Sequence, residues 1–251
     1  MSFLQYLING ISIGSVYAII ALGYTMVYGI ARMLNFAHGD VIMVGAYMSY
    51  CVTSYLGLPP AVGVLAAVIV CTLLGVLIEG LAYKPLRGVP SLAVLITAIG
   101  VSYFLQNVAL LIYGANTKSF TSVVTIPALK LMDGKLVISG ETIVTVVACL
   151  IIMAGLMTFM KYSKSGRAML AVSEDSGAAQ LMGVNVNATI ALTFAIGSSL
   201  AAIAGVLMCS SYPALTPYTG SMPGIKAFVA AVSDPFREPS SEAFCWASSR
   251  S

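Results

Sequence analysis

Six apolar runs, at about residues 3–31, 41–57, 61–83, 91–113, 142–160 and 188–212, constrain this chain more than any other feature. A helix crosses the hydrocarbon core of a bilayer with roughly 20 apolar residues. In that medium every backbone N–H and C=O must find its partner inside the protein, which leaves helices as the simplest answer for runs of this length. The second run is the weakest, because it is short and begins beside Asp40. A seventh begins near Met222 and stops at Val232, eleven residues that are too short to span. Only 8% of the chain is charged, whereas soluble domains carry roughly 25%; mean hydropathy is +0.96. The expected fold class is therefore all-α, a polytopic integral membrane helix bundle with six clear spans plus a partial seventh, occupying residues 1–232.

Lys and Arg in the loops set the orientation. Arg32 follows the first run, Lys84 and Arg87 the third, and Lys161, Lys164 and Arg167 the fifth, so one topology places all three clusters in the cytoplasm and the N-terminus outside. The loop 114–141 opposes this with Lys118, Lys130 and Lys135, but Asp133 and Glu141 partly balance it. Met1 to Tyr6 lacks a basic segment of the signal-peptide kind, so the first run is expected to stay as a helix. Small residues recur at every fourth position: Gly10, Gly14 and Ala18; Gly45, Ser49, Thr53 and Gly57; Gly63, Ala67, Cys71 and Gly75; Gly197, Ala201 and Gly205. Such stripes let helix backbones approach closely. Cys51, Cys71, Cys149 and Cys209 lie in apolar runs without CxxC spacing and are expected to be small packing residues.

Polar interruptions carry the functional candidates. Asn35-Phe36-Ala37-His38-Gly39-Asp40 joins the first two runs; it is either a helix break on a substrate path or an ordinary interfacial turn. Thr97, Ser102, Gln106 and Asn107 in the fourth run either line one face toward a path or bond to a neighbouring helix. Asn35, His38, Thr97, Gln106 and Asn107 are the candidate pathway residues. Glu79 is expected at the membrane edge in a structural role, snorkelling or paired with Lys84, and Asp40 also at an edge. Residues 161–187 form the longest interior polar stretch, a cytoplasmic docking surface.

Several chemistries lack their residues. No GxxxxGK[ST] phosphate loop is present, so ATP hydrolysis is not expected on this chain. HExxH, GxSxG and CxxC are absent, and a single His cannot build a zinc site. No enzyme activity, cofactor, metal or nucleic-acid partner is expected. A secondary transporter would place ionisable residues deep in its spans, and with both carboxylates expected at edges, the driving force is assigned to a separate ATPase.

The stretches NGISIGSVYAIIALGYTMVYG, MLNFAHGDVIMVGAY, YKPLRG, TAIGVSYFLQN, GRAMLAVSEDSGAAQLMGVNVN and SMPGIKAFVAAV together resemble the permease subunit of ABC importers for branched-chain amino acids, from Met1 to Val232. The resemblance implies a multi-pass protein of the bacterial inner or plasma membrane that translocates leucine, isoleucine and valine by alternating access. It implies as partners cytoplasmic ATP-binding subunits, a second related permease and a periplasmic or extracellular substrate-binding protein. Relatives with this fold import urea or short amides, and an ion-coupled secondary transporter is the alternative from another class. By the same resemblance, Glu174 to Gly183 matches the family's coupling loop, whose short helix fits a groove on the ATPase. The coupling residues are Arg167, Glu174, Asp175, Ala178, Ala179, Leu181, Met182 and Gly183. Glu174 and Asp175 favour a short helix's N-terminus through its dipole.

The segment 233–251 breaks the pattern with five charges, six serines and the single Trp, where the family continues into further membrane helices. Read one base earlier, the codons of Cys245 and Trp246 both become Leu and that of Ala247 becomes Gly, while TCN serines become aliphatic or Phe. A frameshift after Val232, leaving a non-native tail, is therefore expected; a genuine short tail is the competing view. The DNA is expected to show an open, Gly/Leu-rich helix in that neighbouring frame, and sequencing that finds none overturns the frameshift.

Overall fold

The computed structural model describes residues 2–120, 122–123, 129–131 and 136–232; the expected frameshifted tail lies outside the described residues. The helices are α1 (Ser2–Ala31), α2 (His38–Ser54), α3 (Pro60–Ile78), α4 (Ser91–Tyr113), α5 (Gly140–Tyr162), α6 (Lys164–Glu174), α7 (Ser176–Leu181), α8 (Val186–Ser211) and α9 (Ser221–Val232). α3 runs on through a π-helical turn, Glu79–Tyr83, and a 3₁₀ turn, Lys84–Leu86. Two short antiparallel pairs join β1 (Lys118–Ser119) to β4 (Ala214–Leu215), and β2 (Leu129–Leu131) to β3 (Leu136–Ile138). Among the described residues, five helices are long and apolar enough to cross a membrane, and each of the seven apolar runs coincides with a helix. α2, expected as the weakest span, is 17 residues long and one of the most buried helices, with Val44 alone of its first ten residues not buried.

α8 is the centre of the bundle and packs along α1, α2 and α3. Of its apolar stretch 67% lies inside the protein, against 11% for α5; α5 is therefore a rim helix whose apolar surface faces outward. Small residues make the centre possible. The buried residues of α3 are Gly63, Ala67, Cys71 and Gly75, the whole expected stripe, plus Ile78. Gly197, Ala201 and Gly205 of α8 are likewise buried. α2 and α8 cross where a Cβ on Gly45 would lie 2.7 Å from Ala202 Cα, and one on Gly205 would collide with the Ile42 carbonyl oxygen. The stripe of α1 behaves differently: Gly10 and Gly14 meet nothing within 4 Å and Ala18 is exposed. The opposite side of that half carries the buried Ser12 and Val16, so among the described residues the small residues serve no internal approach. Gly57 also falls outside the stripe of α2, in a turn at φ 62°.

The loops confirm a common sidedness. Arg32, at the end of α1, donates to the carbonyls of Ser173 (2.8 Å) and Glu174 (3.1 Å). Arg87, after α3, bonds Asn187 near the start of α8. The basic clusters after α1, α3 and α5 thus share one face, while β1 and β4 tie the ends of α4 and α8 together at the other.

Two connections fold back into the bundle. A Cβ on Gly23 would lie 3.1 Å from the His38 ring, so α2 starts level with Gly23, eight residues before α1 ends at Ala31. At 1.5 Å per residue that is roughly 12 Å inside the basic face. Arg32 makes the reversal at φ 53°, in the left-handed region that Arg seldom occupies. From the opposite face, the segment after α8 dips inward until Gly220 and Gly224 touch Gly39. The starts of α2 and α9 therefore meet inside the protein.

Replacing Gly205 with Ala forces the α2–α8 crossing apart and is expected to cost about 1–3 kcal/mol. Gly155→Ala in open space on α5 gains helix propensity, up to about 1 kcal/mol. Thermal unfolding of the two variants in detergent should move in opposite directions.

Candidate functional site: a docking surface and an internal cleft

The candidate docking surface is built by two short helices. Ser163 ends α5 and caps α6, its Oγ accepting from Gly166 N at 2.8 Å. Gly166 sits so close to α5 that a Cβ there would lie 2.6 Å from Met160 Cα, which fixes the turn between the helices. α6 buries Gly166, Met169 and Val172 and leaves Arg167 and Leu170 exposed. Asp175 then caps α7, its Oδ1 accepting from Gly177 N (2.8 Å) and Ala178 N (3.0 Å). Those two bonds, with help from the Arg32 charge, hold the Asp175 carboxyl below its ordinary value. Glu174, expected at a helix N-terminus with Asp175, instead closes α6. It belongs there because Asp175, in extended conformation, already breaks the helix between them.

Ala179 packs inward at 4% exposure while Ala178 faces out. Gly183, at φ 86°, ends the segment in a conformation suited to glycine, and Val184 N returns to the Ala179 carbonyl at 3.0 Å. Leu181 and Met182 project at 91% and 84% exposure. Two large apolar side chains thus stand exposed at the end of a capped helix, the kind of apolar surface that marks an interaction site. Arg32 grips the last carbonyls of α6, where a cation also meets the negative end of the helix dipole. The same residue starts the reversal that leads to α2, so docking surface and bundle interior are joined by one side chain.

The cleft, of about 270 Å³, lies where α2 and α9 begin and α4 passes, closed at Asp40 and open outward at Tyr103 and Ile225. Asp40, 2% exposed, contributes its carboxylate, and Oδ1 accepts from Gln106 Nε2 at 2.9 Å. Ser102 Oγ (3.3 Å) and Ser221 Oγ (3.4 Å) approach the same nitrogen. Tyr24, Phe36, Ile99, Tyr103 and Ile225 supply apolar walls. Glycine at 39 and 224 lets the two helix starts meet: a Cβ on Gly224 would lie 2.9 Å from Gly39 Cα.

Of the pathway candidates, Gln106 lines the cleft. Asn35 and His38 lie buried in the break beside it: Asn35 Oδ1 accepts from the Tyr83 hydroxyl (3.1 Å), and the His38 ring meets Tyr24 edge-on at 5.7 Å. Thr97 and Asn107 return their polar groups to their own helix, to the carbonyls of Ala93 (2.9 Å) and Tyr103 (2.7 Å). Two positions differ from expectation. Asp40 is not at an edge, because the fold-back before α2 carries it inward. Glu79 is buried at 4% exposure and pairs with Arg87, not Lys84; the guanidinium bridges Glu79 and Asn187 together, while Lys84 is exposed. Tyr24 and Ser221 escaped the sequence survey; Asp40 was named there but left out of the pathway set because it was placed at an edge, although an acid following Gly39 at the head of an apolar run is a functional candidate by default.

Residues 6–232 match the model of the family described as branched-chain amino acid transport system / permease component. The high-affinity branched-chain amino acid transport system permease protein LivH of Salmonella typhimurium is 41% identical over 249 residues, covering 92% of this chain and 78% of that protein. LivH of Escherichia coli strain K12 is 42% identical over 248 residues, with the same coverage. BraD of Pseudomonas aeruginosa, with the same description, is 42% identical over 241 residues, again covering 92% and 78%. No solved structure gives a significant match.

Asp175→Ala is expected to raise amide hydrogen exchange at Gly177 and Ala178, while Asp175→Asn, which keeps the acceptor, preserves protection. Because the folded-state pKa is depressed, the carboxylate's contribution is full above its ordinary 3.8 and is lost as pH falls through the lower folded value. Protection in the wild type should accordingly be unchanged between neutral pH and about pH 5.

Proposed function

Because the chain belongs to the family of branched-chain amino acid transport system permease components, we propose that it forms the translocation pathway of an ATP-driven importer for leucine, isoleucine and valine. It is a multi-pass inner-membrane transport component and not an enzyme. In the working complex it pairs with a second related permease and two cytoplasmic ATP-binding subunits, and receives cargo from a substrate-binding protein outside.

The observation that carries this is the junction at Arg32. A partner that closes on α7 moves α6, with Leu181 and Met182 as the inserted tip and Arg167 on the exposed basic entry. Arg32 hangs on the last carbonyls of α6 and is directly continuous with the 32–37 segment that enters the bundle and becomes α2. Displacement of the docking surface is thereby delivered to the wall of the internal cleft, as alternating access requires. Asn35 and His38 act as the packed hinge of that wall, and Gln106 faces the cargo. Thr97 and Asn107 have a lesser part, since each is satisfied within α4.

The depth of Asp40 withdraws one argument against ion coupling, since a secondary transporter would also bury a carboxylate. Family membership outweighs it, and energetics separates the two. Reconstituted with its ATPase, permease and binding-protein partners, the complex should accumulate labelled leucine only when ATP is supplied, and should continue after ion gradients are dissipated. Uptake that survives ATP removal but stops with the gradient overturns the proposal; uptake of urea or short amides in place of leucine moves the cargo. Arg32→Ala should lower ATP-driven uptake about tenfold, the scale of one charged hydrogen bond, at equal amounts of assembled complex.

A further inference from the structure

Among the described residues, two carboxylates lie inside the bundle. Glu79 is answered by Arg87. Asp40 is as deeply buried, at 2% exposure, yet its hydrogen-bond donors are neutral: Gln106 Nε2 at 2.9 Å, and the Ser102 hydroxyl beside it. The basic side chain on the neighbouring α9, Lys226, is turned to α1, with Nζ 3.3 Å from Tyr17 Oη and 5.2 Å from the centre of that ring. An ionised carboxylate removed from water without a counter-ion costs several kcal/mol, and in a membrane bundle such a group marks a site completed by something else. Space for it adjoins. The cleft of about 270 Å³ that Asp40 lines exceeds the roughly 150 Å³ cavity that admits benzene. Its apolar walls include Phe36, Ile99 and Ile225.

We propose that Asp40, steadied by Gln106, accepts the α-ammonium group of the cargo while a branched aliphatic side chain packs on Phe36, Ile99 and Ile225. The site completes its charge balance only with a cationic head group, so the cleft selects free amino acids over urea and neutral amides. Gln106 holds the carboxylate toward the cleft, where the ammonium would add a charged donor to the neutral ones already there. This rests on the transport function proposed above and adds the chemistry by which the membrane subunit itself recognises what it carries.

Two measurements test it. In the assembled complex, without binding protein, a Ser102→Cys variant is treated with a thiol reagent and modification at position 102 is read by mass spectrometry. Leucine and 3-methylbutylamine should protect the thiol; 4-methylpentanoate and 3-methylbutanamide should not. Equal protection by the acid or the amide, or none by the amine, overturns the clamp. In parallel, Asp40→Asn should lower ATP-driven leucine uptake by about tenfold or more, with Asp40→Glu intermediate, at equal amounts of assembled complex. Unchanged uptake by Asp40→Asn beside a transporting wild type overturns the clamp alone, whereas a wild type that transports no leucine overturns the transport function. Should Asp40→Asn not assemble, the labelling result, obtained with Asp40 intact, decides.

Discussion

Backbone meets backbone where Gly39 touches Gly220 and Gly224, and much of the molecule's internal organisation depends on that contact. The first N–H groups of any helix lack partners within it, and in a membrane such groups are tolerated only where protein or a water-filled cavity surrounds them. Bringing the starts of α2 and α9 together inside the bundle meets that condition for both. It also opens a cleft between them, because two helix starts that touch at glycine cannot fill the space their side chains would occupy. Asp40, next to Gly39, is carried to the wall of this cleft by the same geometry. A side chain at any of these glycines would separate the helices and move the carboxylate.

Charge organises the outer boundary as close packing organises the centre. Arg87 joins the π-turn after α3 to Asn187 in the first turn of α8, and Arg32 joins the end of α1 to the end of α6. Both guanidiniums act as forks between segments far apart in sequence, a role that suits Arg's planar set of donors better than the point charge of Lys. The basic face is thus a connected layer rather than a set of independent loops. Through Arg32 the end of α6 is hydrogen-bonded to the segment that runs on into α2.

Between the packed centre and the charged layer lies an apolar rim. α4 and α5 show much of their surface outward, including Leu111 at 86% and Ile151 at 66% exposure, which in lipid carries no penalty of the kind water would impose. The exposed Gly10–Gly14–Ala18 stripe of α1 belongs to this rim as well. Stability therefore comes from close contacts around α8 and from satisfied polar groups at the breaks, not from withdrawal of apolar surface from water.

The sequence by itself determined the spans and their common sidedness, because these depend on local quantities: run length against bilayer thickness and the position of Lys and Arg. It also identified the stripes of α3 and α8 that pack, since a four-residue repeat defines a face before any partner is known. Tertiary structure decided which stripes find a partner, and α1's does not. Only tertiary structure showed that residues 32–37 double back, which moved Asp40 from an apparent edge to the interior and gave Glu79 to Arg87 rather than Lys84. Both outcomes turn on where a chain goes after a helix ends, and that direction is set by packing against α8 and α9, elements more than a hundred residues away.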